Sequence, residues 1–204
     1  MGANEVFIYG ASGHGKVVAD ILQSCGYTLG GWIDDQTIPG VYSWDSFRSA
    51  HPNAQIALGI GENHARETVY AKITDAGFHL PTLIHPSAVV SPSATIGAGT
   101  VVMPLAVINA DARIAQGCIL NTASIVEHDC RVEAFVHISP NAALAGNVHI
   151  GPNTHIGIGA NVIQNISIGA NTVIGAGSTV IHDIPSHSIA FGTPATLRKS
   201  RKQI

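Results

Sequence analysis

The sequence predicts two units in series: an α/β unit over residues 1–82, then an all-β parallel β-helix of hexapeptide repeats over residues 83–204. Three observations carry this prediction. Every sixth residue from Ile84 to Val180 is aliphatic, seventeen positions in an unbroken frame, and most are followed four residues later by a small side chain. Neither the 3.6-residue period of a helix nor the 2.0 period of a simple strand produces that count; it is the repeat of a coil in which each hexad forms one side. Nine of the eleven aromatic residues precede Ile84, and only Phe135 lies among the repeats. Finally, a strand–glycine turn–helix pattern occurs twice in the first part of the chain.

The first of these patterns begins with Val6-Phe7-Ile8-Tyr9, a buried strand, and runs through Gly10-Ala11-Ser12-Gly13-His14-Gly15 into a helix carrying Val17, Val18, Ile21 and Leu22. Glycines let the backbone approach phosphate, and the helix N-terminus presents free N–H groups. A second strand, Leu29-Gly30-Gly31-Trp32-Ile33, ends in Asp34-Asp35, where carboxylates commonly meet a ribose or base. A glycine turn alone also serves as a mere tight connection. The second pattern, Gln55-Ile56-Ala57-Leu58-Gly59-Ile60 into Gly61-Glu62-Asn63-His64-Ala65-Arg66, favours a binding crevice between two neighbouring turns. Asn63 and Arg66 are the expected phosphate or sugar ligands. The unit is short for a dinucleotide fold, so a nucleotide-sugar fits this Rossmann-like arrangement better.

In the repeat region three hexads make one coil, with rungs stacked about 4.8 Å apart. Residues eighteen apart share a vertical line, which sorts the outward positions into three faces. The first carries Val101, Ile119, His137, His155 and Val173; the second Val89, Val107, Ile125, Ala143, Asn161 and Thr179; the third Thr95, Arg113, Arg131, His149 and Ser167. Two apolar faces on a three-sided prism predict a homotrimer.

Composition narrows the function. Charged residues make up 11% of the chain and the net charge is −3, with a single short basic run at Arg198 to Lys202, so nucleic acid is not an expected partner. The N-terminal residues lack the pattern of a signal peptide or a myristoylation signal, and no apolar run predicts membrane insertion; a cytoplasmic location is expected. Cys25, Cys118 and Cys130 form neither a disulfide framework nor a zinc motif, and Cys118 and Cys130 take inward small positions expected to pack the core. His137, His149 and His155 are the histidines that could in principle supply metal ligands, but no metal is expected.

His128 stands out among the eleven histidines. It occupies a hexad turn beside Glu127 and Asp129, and an imidazole with a carboxylate partner makes a general base near neutral pH. Solvated turn histidines share that spacing.

Several stretches together resemble one family: Gly10 to Gly15, Gly59-Ile60-Gly61-x-Asn63, Leu83-Ile84-His85-Pro86-Ser87-Ala88, Asn121-Thr122, Val126-Glu127-His128-Asp129, Ala145-Gly146-Asn147-Val148 and Gly192-Thr193-Pro194-Ala195. The chain resembles the bacterial nucleotide-sugar acyltransferases of the left-handed β-helix class, which include bacillosamine-pathway UDP-4-amino-sugar N-acetyltransferases, perosamine N-acetyltransferases and sialic acid O-acetyltransferases. The resemblance implies a left-handed coil, acetyl-CoA as cosubstrate and a nucleotide-activated amino-sugar as acceptor. It implies His128 as general base and Asp129 as the acidic residue that orients it, at a position where the family often has Glu. It also implies His137 near the thioester and the Gly146 N–H as oxyanion donor. His14 corresponds to a substrate-contacting histidine, with Gly10, Ser12, Gly13, Gly15 and Gly61 lining the same turns and Asp34 and Asp35 at the base and ribose. Ile158, Gly192 and Pro194 fall along a coenzyme A groove between subunits. O-acetylation of a sialic acid or related sugar, and a trimeric scaffold that binds a nucleotide-sugar without turnover, remain the competing readings.

Overall fold

Short apolar runs bounded by glycine build the first unit of the computed structural model, which describes residues 4–200. The start of the chain and the last part of the basic run, Arg201 and Lys202, lie outside the described residues. Strand β1 (Glu5–Tyr9) is central in a parallel sheet of order β2-β1-β3, with β2 at Thr28–Ile33 and β3 at Gln55–Leu58. Helices α1 (Gly13–Ser24), α2 (Trp44–Ala50) and α3 (Asn63–Asp75) connect and cover these strands. Both faces of β1 are buried, which is why its sequence is a continuous hydrophobic run rather than an alternation. Phe7 and Tyr9 pack with Phe47, Ile56, Val69 and Ile73 on one side. Val6 and Ile8 pack with Val18, Ile21 and Leu22 on the other, in a cluster that continues into Leu83, Val101, Met103 and Ile119 of the coil.

The coil consists of seventeen two-residue strands, from Leu83–Ile84 to Thr179–Val180, and their parallel pairing reproduces the three faces expected from the eighteen-residue spacing. Ile119, His137 and His155 are register partners on the first face, Ile125 and Ala143 on the second, and Arg113, Arg131 and His149 on the third. The inward aliphatic residues form one continuous core. Corners follow the same count. A left-handed residue recurs every sixth position from Gly99 to Gly177, and Asp, Asn and Gly fill most of these sites because they tolerate positive φ at low cost. Inward hydroxyls and thiols bond corner carbonyls: Thr100 Oγ1 donates to Ala115 O at 3.0 Å, Cys118 Sγ to Glu133 O at 3.1 Å and Cys130 Sγ to Ala145 O at 3.2 Å.

Two expectations change. The first face is apolar because it is covered by the chain's own first unit, Val101 and Ile119 being 2% and 1% exposed, so it is not a second sticky face for assembly. Ile84, the first residue of the repeat, sits at the open lower end of the coil and is exposed, while Leu83 turns into the joint between the units. At the other end an antiparallel hairpin of Ser188–Gly192 and Ala195–Ser200 extends the first face above Val173–Ile174 and buries Ala190 and Ala195 on the core.

Candidate active site

The two glycine turns press against each other at the end of the three-stranded sheet. A β-carbon on Gly59 would lie 2.6 Å from Gly10 O, and one on Gly15 would lie 2.1 Å from the same atom, so glycine is required at both places. Asp34 holds the first turn shut from behind: its Oδ2 accepts the Ala11 N–H at 2.9 Å and its Oδ1 the Gln36 N–H at 3.0 Å. Asp35 forms a closed set with Tyr9 and Lys72, its Oδ1 accepting the tyrosine hydroxyl at 2.7 Å and Lys72 Nζ at 2.8 Å. Burial opposes ionisation of Asp35, but those two donors hold its carboxyl below the ordinary value. Tyr9 and Lys72 were not anticipated; Lys72 carries no spacing signal, because it reaches Asp35 only through the packing of α3 on the sheet.

His14, at the start of α1, faces the first face of the coil. Its ring centroid is 6.4 Å from that of His137, and His137 is 4.7 Å from His155 one rung above. Asn121, one rung below, fixes the chemistry of His137. Its Oδ1 accepts the Thr122 N–H at 2.8 Å, which leaves Nδ2 to donate to His137 Nε2 at 3.0 Å. The His137 proton therefore sits on Nδ1, on the side of the Gly61 carbonyl, while His14 Nε2 is buried without a hydrogen-bond partner among the described residues. Burial, then the charges of His155, Arg66 and His14, push His137 down to about 3; burial and then Arg66 push His14 down to about 4. Both rings are neutral across the physiological range.

Asn63 and Arg66 do not line this crevice as ligands. Asn63 Nδ2 donates to Asn153 O at 3.0 Å and Thr154 O at 3.2 Å, and the Arg66 guanidinium, 1% exposed, is hydrogen-bonded wholly within the joint between the units. Their polar atoms are satisfied by the coil, by the second glycine turn and by each other, so they join the two units instead of meeting phosphate or sugar. Gly61 lies beside His14, and Ser12 and Gly13 are exposed at the mouth of the first turn.

His128 lies at the corner between the second and third faces, apart from the histidine crevice. Its Nδ1 is 2.8 Å from Asp129 Oδ2, so the shorter acid at this position reaches the ring. Asp129 adopts φ 61°, the left-handed corner conformation that places its carboxylate beside the preceding side chain. That hydrogen bond first, and the charges of Asp129 and Glu127, hold His128 above the ordinary histidine value. With Nδ1–H directed at Asp129, Nε2 is the free basic atom. It lies over Gly146, one rung up, and among the described residues no acceptor takes the Gly146 N–H. A cleft of about 510 Å³ opens here, lined by Asp111, Arg113, His128, Asp129, Arg131, Asn147 and Asn165.

The expected coenzyme residues gather at the third location, the corner between the first and second faces. Gly177 N–H donates to Ile158 O at 2.8 Å, and Thr193, bonded to Gly177 O at 3.4 Å, places Gly192 and Pro194 above them. Ile158 is exposed. Among the described residues no group of three His, Cys, Asp or Glu is disposed to hold a metal ion, and no helix is long and apolar enough to cross a membrane.

Comparison with known proteins agrees with both units. The family model described as the PglD N-terminal domain matches residues 5–73, and the bacterial transferase hexapeptide model matches residues 147–182. The UDP-N-acetylbacillosamine N-acetyltransferase of Bacillus subtilis is 40% identical over 107 residues, 47% of this chain; the chain spans about half (50%) of that relative's length. Among solved structures, a variant of GDP-perosamine N-acetyltransferase from Caulobacter crescentus, in complex with CoA and GDP-perosamine, superposes with a TM-score of 0.92 at 39% identity, covering 97% of this chain and 98% of that one. The acetyltransferase domain of PglB from Neisseria gonorrhoeae, in complex with acetyl coenzyme A, gives 0.89 at 39% identity, covering 97% and 100%. Similarity over nearly the whole length, in both units at once, places the chain in the family of nucleotide-sugar N-acetyltransferases that join a PglD-type N-terminal domain to a left-handed β-helix of hexapeptide repeats.

Proposed function

We propose that this chain moves the acetyl group of acetyl-CoA to the amino group of a nucleotide-linked 4-amino-sugar, with residues 1–82 holding the nucleotide-sugar and residues 83–204 the coenzyme. The observation that carries the mechanism is the pairing of His128 with Asp129 beneath the unbonded Gly146 N–H. The neutral sugar amine attacks the thioester carbon, and His128 Nε2 takes the proton released from nitrogen. Asp129 stabilises the imidazolium that results. The Gly146 N–H donates to the carbonyl oxygen as it gains charge, and the tetrahedral intermediate collapses with cleavage of the C–S bond to give the amide and coenzyme A. No acyl-enzyme is involved: Cys118 and Cys130 are buried in the coil, and burial pushes the Cys118 thiol up to about 12.

The three locations come together in a trimer. Val89 and Ile125 are exposed on the second face, and Leu105 and Ile158 are exposed on its corner with the first face. When three second faces turn toward a common axis, the corner of one subunit that carries His128 lies beside the neighbour's opposite corner. That opposite corner carries Ile158, Gly192 and Pro194 and borders the face that carries His137. Each site would then take its base and oxyanion donor from one subunit and its coenzyme groove and histidine crevice from the next.

Coenzyme A release, measured with a panel of UDP- and GDP-linked amino-sugars, tests this reading. His128→Ala should lower turnover by roughly 10² or more on the accepted sugar. Near-normal acetylation at pH 7 by that variant would remove His128 from the role, and absence of release with every amino-sugar would leave the hydroxyl-acceptor reading to be tried with sialic acids.

A further inference from the structure

Among the described residues Arg66 is a buried cation without a carboxylate partner. All five of its N–H groups are matched: Nε donates to Gly117 O at 2.7 Å, Nη2 to Phe135 O at 2.7 Å and Asn63 Oδ1 at 2.9 Å, and Nη1 to Gly61 O at 3.0 Å and Ile60 O at 3.3 Å. Gly117 and Phe135 hold the same left-handed corner on successive rungs of the coil. Asn63 extends the contact to Asn153 and Thr154 on the rung above. One side chain thus grips two rungs of the coil and the second glycine turn together. Taking a guanidinium out of water is costly unless its surroundings supply dipoles, and a neutral side chain would fill the same joint at lower cost. Cohesion alone does not account for the charge, and the position of the Gly61 carbonyl indicates what else it does. That carbonyl accepts from Arg66 and also lies beside the His137 ring, while the Gly61 α-carbon lies against His14.

We propose that Arg66 is a positioning residue for the reaction: by clamping the Gly61 carbonyl to the Gly117 and Phe135 carbonyls, it sets the separation of His14 and His137 across the crevice. Burial keeps both imidazoles uncharged, and the Arg66 charge adds to that effect. A charged His14 or His137 would offer two donors and no acceptor, and the Asn121–His137 hydrogen bond, in which His137 Nε2 accepts, would be lost. The charged or titratable groups around the two rings are each other, His155 on the coil and Arg66 on α3; Glu62 and Cys118 flank the guanidinium. The kinetic part of this inference rests on the acetyltransferase reading; the part concerning the histidines does not.

The test uses the full chain with histidine labelled at Cε1, the His14 and His137 resonances being assigned by His14→Asn and His137→Asn. In Arg66→Met the midpoints of both rings should rise, because a neighbouring positive charge that disfavoured imidazolium is gone. They should stay below an ordinary histidine, because burial remains the larger cause. In Arg66→Lys the charge remains and the planar fork is lost, so the midpoints should stay near those of the native chain while KM for the nucleotide-sugar rises about tenfold from misplacement of the crevice. A merely cohesive Arg66 would lower the melting temperature and the active fraction, leaving KM and both titrations unmoved. Unchanged midpoints in Arg66→Met overturn the proposal. Should that variant fail to fold, a native KM in Arg66→Lys overturns it instead. If no amino-sugar is acetylated, the titrations still decide the role of Arg66 while the functional reading fails separately.

Discussion

The imidazole of His128 rests on the α-carbon of Gly146: a β-carbon there would lie 2.6 Å from both Cε1 and Nε2 of the ring. The absent side chain thus forms the floor under the base, and the same residue presents an N–H with no acceptor among the described residues. The first prediction concerns Gly146→Ala. The methyl group must displace the ring, and misplacement of a catalytic group by about 1 Å costs on the order of 10² in rate. Turnover should fall by about that factor while circular dichroism and oligomeric state are retained, because Gly146 adopts an ordinary backbone angle at an accessible corner. Retention of more than half the native kcat would show that the contact between the two residues is not used.

The pH dependence follows from the pair at 2.8 Å. Asp129 holds His128 above the ordinary histidine value, and a general base must be neutral to accept a proton, so activity should fall as pH drops through that raised value. Asp129→Asn removes the cause of the increase. The acid limb of kcat/KM should therefore move to lower pH, and the plateau should fall by about tenfold or more because the tautomer is no longer fixed. An acid limb that stays in place in Asp129→Asn would assign it to another group; His14 and His137 are poor candidates, since both are held far below that range.

Assembly can be tested on the second face. Val89 and Ile125 stand on its outer surface and Leu105 on its edge, all exposed in the single chain. Ile125→Glu should give a monomer by analytical ultracentrifugation with little loss of secondary structure, because an exposed position of the isolated coil tolerates charge that a packed interface does not. Activity should disappear along with the oligomer. Co-expressed His14→Ala and His128→Ala chains should recover part of the native rate, since some interfaces in a mixed trimer pair an intact crevice with an intact base. Full activity in a monomer would place the whole site within one chain.

What the sequence made legible divides along physical lines. Seventeen hexads, three faces and the corner carrying His128 follow from counting, because each hexad is one side of the coil and registers directly on the rung eighteen residues away. The pairing of the two glycine turns was legible for a similar reason, as neighbouring parallel strands deliver their ends to one edge. Docking of the first unit on the coil was not. It depends on Arg66, Asn63 and Tyr70, whose partners lie between 51 and 91 residues away in sequence and are mostly backbone carbonyls, which carry no residue-type signal. For that reason an apolar face covered within the chain looked like a surface for assembly, and two residues of the joint looked like ligands. The closing hairpin was missed because its strands follow the last hexad and pair antiparallel, outside the repeat frame.

Phe135, the one aromatic side chain inside the repeats, supplies the last prediction. It holds a left-handed corner at φ 59°, packs edge-on against Tyr70 of α3 at 5.3 Å between ring centroids, and overlies Gly117, where a β-carbon would lie 2.4 Å from the ring. Loss of a buried phenylalanine costs about 3–5 kcal/mol, whereas left-handed backbone costs a residue with a β-carbon about 1–2 kcal/mol that glycine avoids. Phe135→Ala loses the packing and keeps the strain; Phe135→Gly loses the same packing and releases it. The glycine variant should therefore be the more stable of the two, by up to about 1 kcal/mol after its larger backbone entropy is subtracted. That order reverses the usual one for glycine and alanine. Melting temperatures of the two variants and the native chain, taken at one protein concentration, would read it directly. An alanine variant more stable than the glycine variant would mean that the corner relaxes out of the left-handed region once the ring is gone, and that the joint with α3 is what holds it there.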